Sequence, residues 1–297
     1  MAGNSGIHKW KWVLFFVAPS LLGLLVFTVI PILTSLALTV HEWNLLRPPE
    51  FVGLANFREL FADSAFWGAL RNTAGFIALY VPGVFALALG VALLLNQRLR
   101  GVVLVRTATF LPVVASWVVV SLIWKWIFNP TYGLINPALA AFGIEGPAWL
   151  FDAKTALTAM VITSIWKDVG YVAVMYLGGL QGIPEQFYEA ARIDGASPWQ
   201  RLRYVTLPLL TPTMFFVVII LLINTFQVFD QVWLMPMRDS AADRQVEVIV
   251  TEVVKNAFSY SRMGYASAMS WVLFVAIFAV TFVQLKLQKR WVYYEHE

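Results

Sequence analysis

Long uncharged runs alternate with short polar segments along this chain of 297 residues. The runs 12–40, 72–97 and 263–285 contain no Asp, Glu, Lys or Arg. Each could cross a bilayer as a helix, which takes about 20 largely apolar residues. Applied to every run, this pattern predicts six spans, at about 12–40, 72–97, 107–128, 155–180, 207–233 and 263–287.

The composition supports a membrane protein rather than a large soluble core. Hydrophobic residues make up 60% of the chain and charged residues only 13%, with a mean hydropathy of +0.72. A soluble domain carries about 25% charged residues. We therefore predict an all-α polytopic membrane protein in which residues 1–297 form a single transmembrane domain. The net charge of +4 predicts no nucleic-acid partner, because no basic stripe interleaves with aromatic residues.

The chain offers no sign of metal or thiol chemistry. It has no cysteine, which excludes disulfides. Its histidines, His8, His41 and His296, lack a second ligand at metal-binding spacing. No pattern resembles a catalytic site, so we expect neither a metal site nor catalytic residues.

Basic residues indicate the orientation of the spans. Arg98, Arg100 and Arg106 lie between the second and third spans, with no acidic residue among them. Short loops rich in Lys and Arg stay in the cytoplasm. Six spans then predict that both termini are cytoplasmic, and that the polar segment between the fourth and fifth spans is cytoplasmic too.

That polar segment predicts two short helices. The first is expected at 184–194, followed by a turn at Asp194-Gly195. Ser197 and Gln200 fit a capping box at the start of the second helix. Leu207-Pro208 is expected to end it. A helix-turn-helix of this kind also occurs in DNA-binding proteins, but its position between two spans argues against that role.

One spacing in this segment resembles a known family. Glu189-Ala190-Ala191 is followed after three residues by Gly195, and after nine more by Val205-Thr206-Leu207-Pro208. This spacing resembles the EAA loop of binding-protein-dependent ABC importer permeases of type I. Further stretches resemble the carbohydrate-uptake branch, and within it the first permease of maltose-type and glycerol-3-phosphate-type importers: Phe51–Phe57, Arg71–Thr73, Arg106–Pro112, Asn129–Asn136 and Gly264–Ala268. Met235–Ser240 departs from the Thr-x-Gly-Gly-Pro turn that members often have.

The resemblance implies a coupling role for the loop 181–208, which would dock on an ATP-hydrolysing subunit. The residues that match the family's coupling positions are Glu189, Ala190, Ala191, Asp194, Gly195, Leu207 and Pro208. The implied partners are a second homologous permease, two ABC ATPase subunits and an extracytoplasmic solute-binding protein, within the lipid of a prokaryotic cell membrane.

The energy source is expected to lie outside this chain. The sequence has no G-x-x-x-x-G-K-[ST] phosphate-binding loop. We therefore expect a permease subunit that is not an enzyme and binds no cofactor. ATP and Mg²⁺ would be used by the partner ATPase subunits.

Polar residues inside the predicted spans are candidates for the substrate path. They are Ser164, Trp166, Asp168 and Tyr171 in the fourth span, and Asn224, Thr225, Gln227 and Asp230 in the fifth. Asn224, Gln227 and Asp230 are spaced to share one helix face. Packing by Tyr171, a structural ion pair at Asp168 and a seal between helices remain alternatives.

The cargo is predicted to be a mono- or oligosaccharide delivered by the binding protein. Glycerol-3-phosphate or a related polar metabolite is the alternative within the same machine. A phosphate would favour basic lining residues, and Lys167 alone lies deep in a predicted span. An ion-driven secondary carrier is the alternative from another class, since it would also lack a phosphate-binding loop.

Overall fold

A computed structural model describes residues 5–97, 101–236 and 245–293. Arg98, Arg100 and the Met237-to-Ser240 part of the departing turn lie outside the described residues. Contacts divide the chain into two compact units. The first comprises Met1–Asp63 with Val253–Val272, and the second comprises Ser64–Glu252 with Leu273–Glu297.

The first unit begins with a long apolar helix. It consists of α1 (Ser5–Leu24), a π-helical turn (Leu25–Val29) and α2 (Ile30–Leu38). Pro31, the second residue of α2, lies two positions after the π turn and has no amide hydrogen to donate. The span Trp10–Leu38 contains an 18-residue stretch with a mean hydropathy of 2.6, and none of its residues is buried. An exposed surface this apolar fits contact with lipid or with another membrane helix.

A small polar substructure completes the first unit. Strand β1 (His41–Glu42) pairs antiparallel with β2 (Glu50–Phe51), and α3 (Ala55–Ala62) follows. The side chain of Asn56 donates to two main-chain carbonyls near the first strand, at 2.9 and 3.0 Å. These bonds fix α3 to the strand pair.

The start of the last helix, α14 (Met263–Trp291), also belongs to this unit. The Met263 amide donates to the carbonyl of Trp43 at 2.9 Å. A Cβ at Gly264 would overlap the carbonyl oxygen of His41. This close approach explains why glycine stands at the head of the Gly264–Ala268 stretch.

The remaining elements in the described part of the chain are all helical. In order, its elements are α4 (Ser64–Leu95), α5 (Val102–Val114), α6 (Trp117–Ile127), α7 (Ile135–Ala140), a 3-10 turn (Trp149–Phe151), α8 (Ala153–Gln181), α9 (Glu185–Ile193), α10 (Pro198–Arg201), a π-helical turn (Leu202–Thr206), α11 (Leu207–Phe226), α12 (Asp230–Leu234), α13 (Ile249–Val254) and a further π-helical turn (Lys255–Ser259).

Glycines on α8 allow its neighbours to approach closely in the second unit. A Cβ at Gly170 would overlap the main-chain carbonyl oxygen of Thr109 on α5, and one at Gly179 would overlap the side chain of Thr213 on α11. Small residues at helix interfaces let membrane helices pack backbone to backbone, where the hydrophobic effect supplies no drive. Buried alanines such as Ala159 fill the remaining contacts.

Within the described residues, five helices are long and apolar enough to cross a membrane, and a bent pair makes a sixth candidate. The expected all-α fold is confirmed. The span at 107–128 stays a prediction: the structure builds this stretch from α5 and α6, which meet at 100°. Pro112 lies three residues before the break, Ala115 is extended, and the Ser116 hydroxyl caps α6 by accepting from Val118 at 3.2 Å.

The helix that starts at Pro198 does not end at Leu207-Pro208, so that prediction is wrong. It continues through the π turn into α11. The Leu207 amide bonds to the carbonyl of Leu202, five residues back. Pro208 then occupies the first turn of α11, where a missing amide hydrogen costs little.

Candidate functional site

A cleft of about 450 Å³ opens in the second unit between α4, the α5–α6 break, α8 and the end of α11. Its wall combines aromatic rings, aliphatic side chains and a few polar groups. The lining residues are Phe76, Tyr80, Val113, Trp117, Asp168, Tyr171, Val172, Met175, Val217, Ile220, Leu221, Asn224, Thr225, Gln227, Val228, Phe229, Asp230 and Gln231.

Most of the predicted substrate-path residues meet in this cleft. They are Asp168, Tyr171, Asn224, Thr225, Gln227 and Asp230. The structure does not place Ser164 or Trp166 there. Ser164 is fully buried behind the wall, where its hydroxyl accepts from Gln231 Nε2 at 3.2 Å. Trp166 packs edge-on against Trp124, with ring centroids 5.5 Å apart.

Lys167 and Asp168 are neighbours in sequence but have different partners. Asp168 Oδ2 accepts from the hydroxyl of Tyr80 at 2.7 Å, which joins α8 to α4. Lys167 instead donates to the carbonyls of Pro112 and Val113. Successive residues on a helix point about 100° apart, because 3.6 residues make one turn. Asp168 therefore faces the cleft while Lys167 faces the α5–α6 break.

A break in the helix after α11 brings the fifth-span residues to the cleft. The predicted common helix face of Asn224, Gln227 and Asp230 is wrong, because α11 ends at Phe226. All three nevertheless line the cleft. The Gln227 amide bonds to the carbonyl of Asn224 at 3.1 Å, and Asp230 begins α12. Irregular backbone at membrane depth is tolerated where it lines a cavity.

Thr225 contributes little polarity to the cleft wall, although the sequence made it a candidate for the substrate path. Its side chain is buried, and its hydroxyl donates to the carbonyl of Leu221 at 2.5 Å. The polar groups on this wall that remain exposed are Asn224, Gln227 and Asp230.

The sequence prediction missed much of the wall. Phe76, Tyr80, Trp117, Phe229 and Gln231 all line the cleft. For an aromatic residue inside an apolar run, the sequence does not distinguish a position that lines a cleft from one in a packed core. The hydroxyl of Tyr80 in an uncharged span was an available signal, since buried polar groups need partners.

The lining suits an uncharged molecule with many hydroxyl groups. Aromatic faces pack against apolar C–H surfaces, while carboxylates and amides offer hydrogen bonds. Among the residues that the structure describes, Asp168 and Asp230 are the charged residues of the lining, and neither Lys nor Arg lines it. A few polar groups set in an apolar wall are usual for small-molecule sites.

The hairpin that follows α8 is built largely as the sequence predicts. The capping box is confirmed. The main-chain N–H of Gln200 donates to Ser197 Oγ at 3.3 Å, and the main-chain N–H of Ser197 donates to Gln200 Oε1 at 2.7 Å. Gly195 has a φ of +74°, which glycine adopts without strain. Tyr188 and Thr206 share a hydroxyl–hydroxyl bond of 3.1 Å that ties α9 to the π turn.

The predicted coupling residues form two groups. Glu189, Ala190, Asp194 and Gly195 are exposed, and Ala191 is half-buried. Ile193 beside them is 86% exposed, which is unusual for a large apolar side chain. Leu207 and Pro208 are half-buried in the first turn of α11. The hairpin thus presents a surface with both apolar and acidic character.

Membrane-length helices around a polar cleft, with an exposed helical hairpin between two of them, define the class of polytopic membrane permeases. Residues 9–292 match the family described as binding-protein-dependent transport system inner membrane component. The chain belongs to this family, and the resemblance drawn from the EAA-type spacing is confirmed.

Related proteins cover nearly the whole chain. The probable ABC transporter permease protein YesP of Bacillus subtilis is 34% identical over 283 residues, covering 94% of this chain and 91% of the relative. The lactose transport system permease protein LacF of Rhizobium radiobacter is 34% identical over 273 residues, covering 91% of each.

A solved structure shares the fold. It is a chain of a bacterial alginate ABC transporter in complex with an alginate pentasaccharide-bound periplasmic protein. Its TM-score is 0.85 at 23% identity, and the match covers 95% of this chain and 96% of that one. The similarity confirms the expected fold of an ABC importer permease.

Proposed function

We propose that this permease subunit passes a neutral mono- or oligosaccharide across a prokaryotic cell membrane as part of an ATP-driven importer. The observation that carries the proposal is the lining of the cleft. Five aromatic residues, two carboxylates and several amides surround a volume of about 450 Å³. A relative named for lactose transport and a structural neighbour from an alginate importer support the choice of cargo.

The charge of the lining argues against glycerol-3-phosphate as cargo. A phosphate would approach the carboxylates of Asp168 and Asp230, and the described part of the lining holds no cation to offset them. Like charges at close range repel most strongly in a low dielectric. Lys167 is the basic residue that the sequence places deep in a span, and its ammonium is engaged by two main-chain carbonyls.

The exposed hairpin supports docking of a separate ATPase. Its surface around Glu189 and Ile193 has the mixed character of a protein contact. Two ATPase subunits would use ATP and Mg²⁺, while this chain binds no cofactor. A second homologous permease would complete the pathway, and an extracytoplasmic binding protein would deliver the sugar. Both termini and the hairpin would then be cytoplasmic.

The test is uptake into proteoliposomes that contain the chain with its partner permease, ATPase and binding protein. We expect ATP-dependent uptake of a saccharide from a panel of mono-, di- and trisaccharides. Uptake of glycerol-3-phosphate in place of every sugar would contradict the cargo. Uptake by this chain alone, driven by an ion gradient, would establish a secondary carrier instead.

Matched variants on α9 test the coupling role. Glu189→Ala removes a carboxylate at the matched coupling position, whereas Gln186→Ala truncates an exposed side chain of the same helix. We expect Glu189→Ala to reduce transport per ATP hydrolysed, and Gln186→Ala to leave it unchanged. Equal coupling in both variants would remove Glu189 from the proposed contact.

A further inference from the structure

A buried ammonium group lies directly behind the cleft wall. Lys167 on α8 is 5% exposed and is absent from the lining. Its Nζ donates to the carbonyl oxygens of Pro112 at 3.3 Å and Val113 at 3.0 Å. It also lies 5.2 Å from the centroid of the Trp117 ring. A charge at this depth in a membrane is costly, and such charges usually serve a function.

The two carbonyls belong to the last turn of a broken helix. Helix α5 ends at Val114, Ala115 is extended with a ψ of 137°, and α6 leaves at 100°. The last four carbonyls of a helix have no partner within it. In the hydrocarbon region an unsatisfied carbonyl is unfavourable, because no water can replace the missing donor. Lys167 supplies donors at the break itself, to the carbonyl of Val113 and to that of Pro112, which also accepts from the Ala115 amide at 3.2 Å.

Close packing makes this reach possible. Gly170 lies three residues after Lys167 on the same helix, and a Cβ there would overlap the Thr109 carbonyl oxygen. Helix α8 therefore lies directly against the backbone of α5 at Thr109, nearly two turns before the break at Ala115. The ammonium also complements the negative end of the α5 dipole. Together, the contact at Gly170 and the bonds from Lys167 hold the end of α5 against α8.

The break forms part of the cleft wall, because Val113 and Trp117 on either side of it are both lining residues. We propose that Lys167 is a positioning residue that holds the α5–α6 break, and with it the Val113–Trp117 wall, in place. The proposal rests on the proposed function only in treating this cleft as the path of the cargo. The positioning of the wall stands on the contacts themselves.

Single-cysteine reporters can test the proposal, since the chain has no cysteine of its own. Val113→Cys reports on the break, and Asn224→Cys on a lining residue of the same cleft that another helix, α11, supplies. Each cysteine reporter would be combined with one of three residues at position 167, namely the original Lys167, Lys167→Met or Lys167→Arg, in the assembled transporter. The measured quantity is the rate of modification by N-ethylmaleimide.

Lys167→Met keeps an unbranched buried side chain but removes its donors. We expect the rate at Val113→Cys to rise about tenfold or more, because two charge-assisted hydrogen bonds are lost. The rate at Asn224→Cys should stay unchanged. Lys167→Arg should restore the original rate at Val113→Cys, because a guanidinium can donate to both carbonyls and stack on Trp117.

Two outcomes would overturn the proposal: equal rates at Val113→Cys with Lys167 and Lys167→Met, or parallel increases at both reporters, which would indicate general loosening. If the methionine variant does not assemble, Lys167→Gln replaces it. Its amide can donate to one carbonyl, so an intermediate rate is expected, and a rate equal to that with Lys167 would overturn the proposal.

A separate arm tests the function on which the cleft's role depends. With Lys167 intact, glucose, maltose and maltotriose would each be supplied with the cognate binding protein, and protection of Asn224→Cys would be measured. Absence of protection by all three saccharides would count against the proposed function. The ratio of the modification rates at Val113→Cys, with Lys167→Met and with Lys167, would still test the role of Lys167 independently.

Discussion

Gly170→Ala should destabilise the chain relative to Gly178→Ala, which lies about two turns further along α8. A methyl group at Gly170 meets the main-chain carbonyl of Thr109, whereas one at Gly178 meets nothing within 4 Å. The two substitutions are chemically identical and lie inside the same helix. Their difference therefore isolates the contact between α8 and α5.

The magnitude follows from two opposing effects. Alanine favours a helix interior over glycine by about 1 kcal/mol, and this gain applies at both positions. Overpacking costs about 1–3 kcal/mol, and the neighbour at Gly170 is backbone, which cannot rotate away. The gain in helix propensity is the same at both positions and cancels in the comparison. Gly170→Ala should therefore be less stable than Gly178→Ala by about 1–3 kcal/mol.

Reversible unfolding of the purified chain in mixed detergent micelles would measure this difference. Each variant would be titrated with SDS, and the free energies of unfolding would be compared with that of the unsubstituted chain. Equal stability of the two variants, within about 0.5 kcal/mol, would show that α5 and α8 are further apart than the structure has them.

Three further predictions concern hydrogen bonds. Tyr80→Phe should lower the free energy of unfolding by about 1.5–3 kcal/mol, because Asp168 loses its donor; Tyr176→Phe should be neutral in the same titration, because that buried hydroxyl has no partner among the described residues. Ser197→Ala should cost about 1 kcal/mol through loss of the cap, and faster amide hydrogen exchange in α10 would detect it. Arg262→Ala should cost less than about 1 kcal/mol, because its ion pair is exposed; a larger loss on SDS titration would mean that the pair is better shielded than its exposure indicates.

Local features were the most predictable from sequence. The capping box at Ser197 and Gln200 and the turn at Gly195 depend on residues within a few positions of each other, and the structure has both. The spans were predictable because their apolar runs need no partner to be recognised. The error at Leu207-Pro208 is also local: a proline can begin a helical segment as well as end one.

The cleft was only partly predictable. Asp168 and Tyr171 were recognised because polar groups are rare inside spans, but Ser164 and Trp166 share that property and point elsewhere. Sequence spacing gives the direction in which a side chain points from its own helix. Which neighbouring helix it meets in that direction depends on how the helices pack. Tyr80 was missed because its role depends on Asp168, which lies 88 positions away.

The amino-acid sequence by itself determined the membrane class, the spans and the family-specific hairpin, because hydropathy and short-range spacing act within single segments. Tertiary structure alone decided the partners of Lys167 and Asp168 and the cleft that they help to shape. The reason is that two adjacent charges on one helix diverge by about 100°, so their environments come from different neighbouring helices. For Lys167 that neighbour is the broken end of α5, and for Asp168 it is α4.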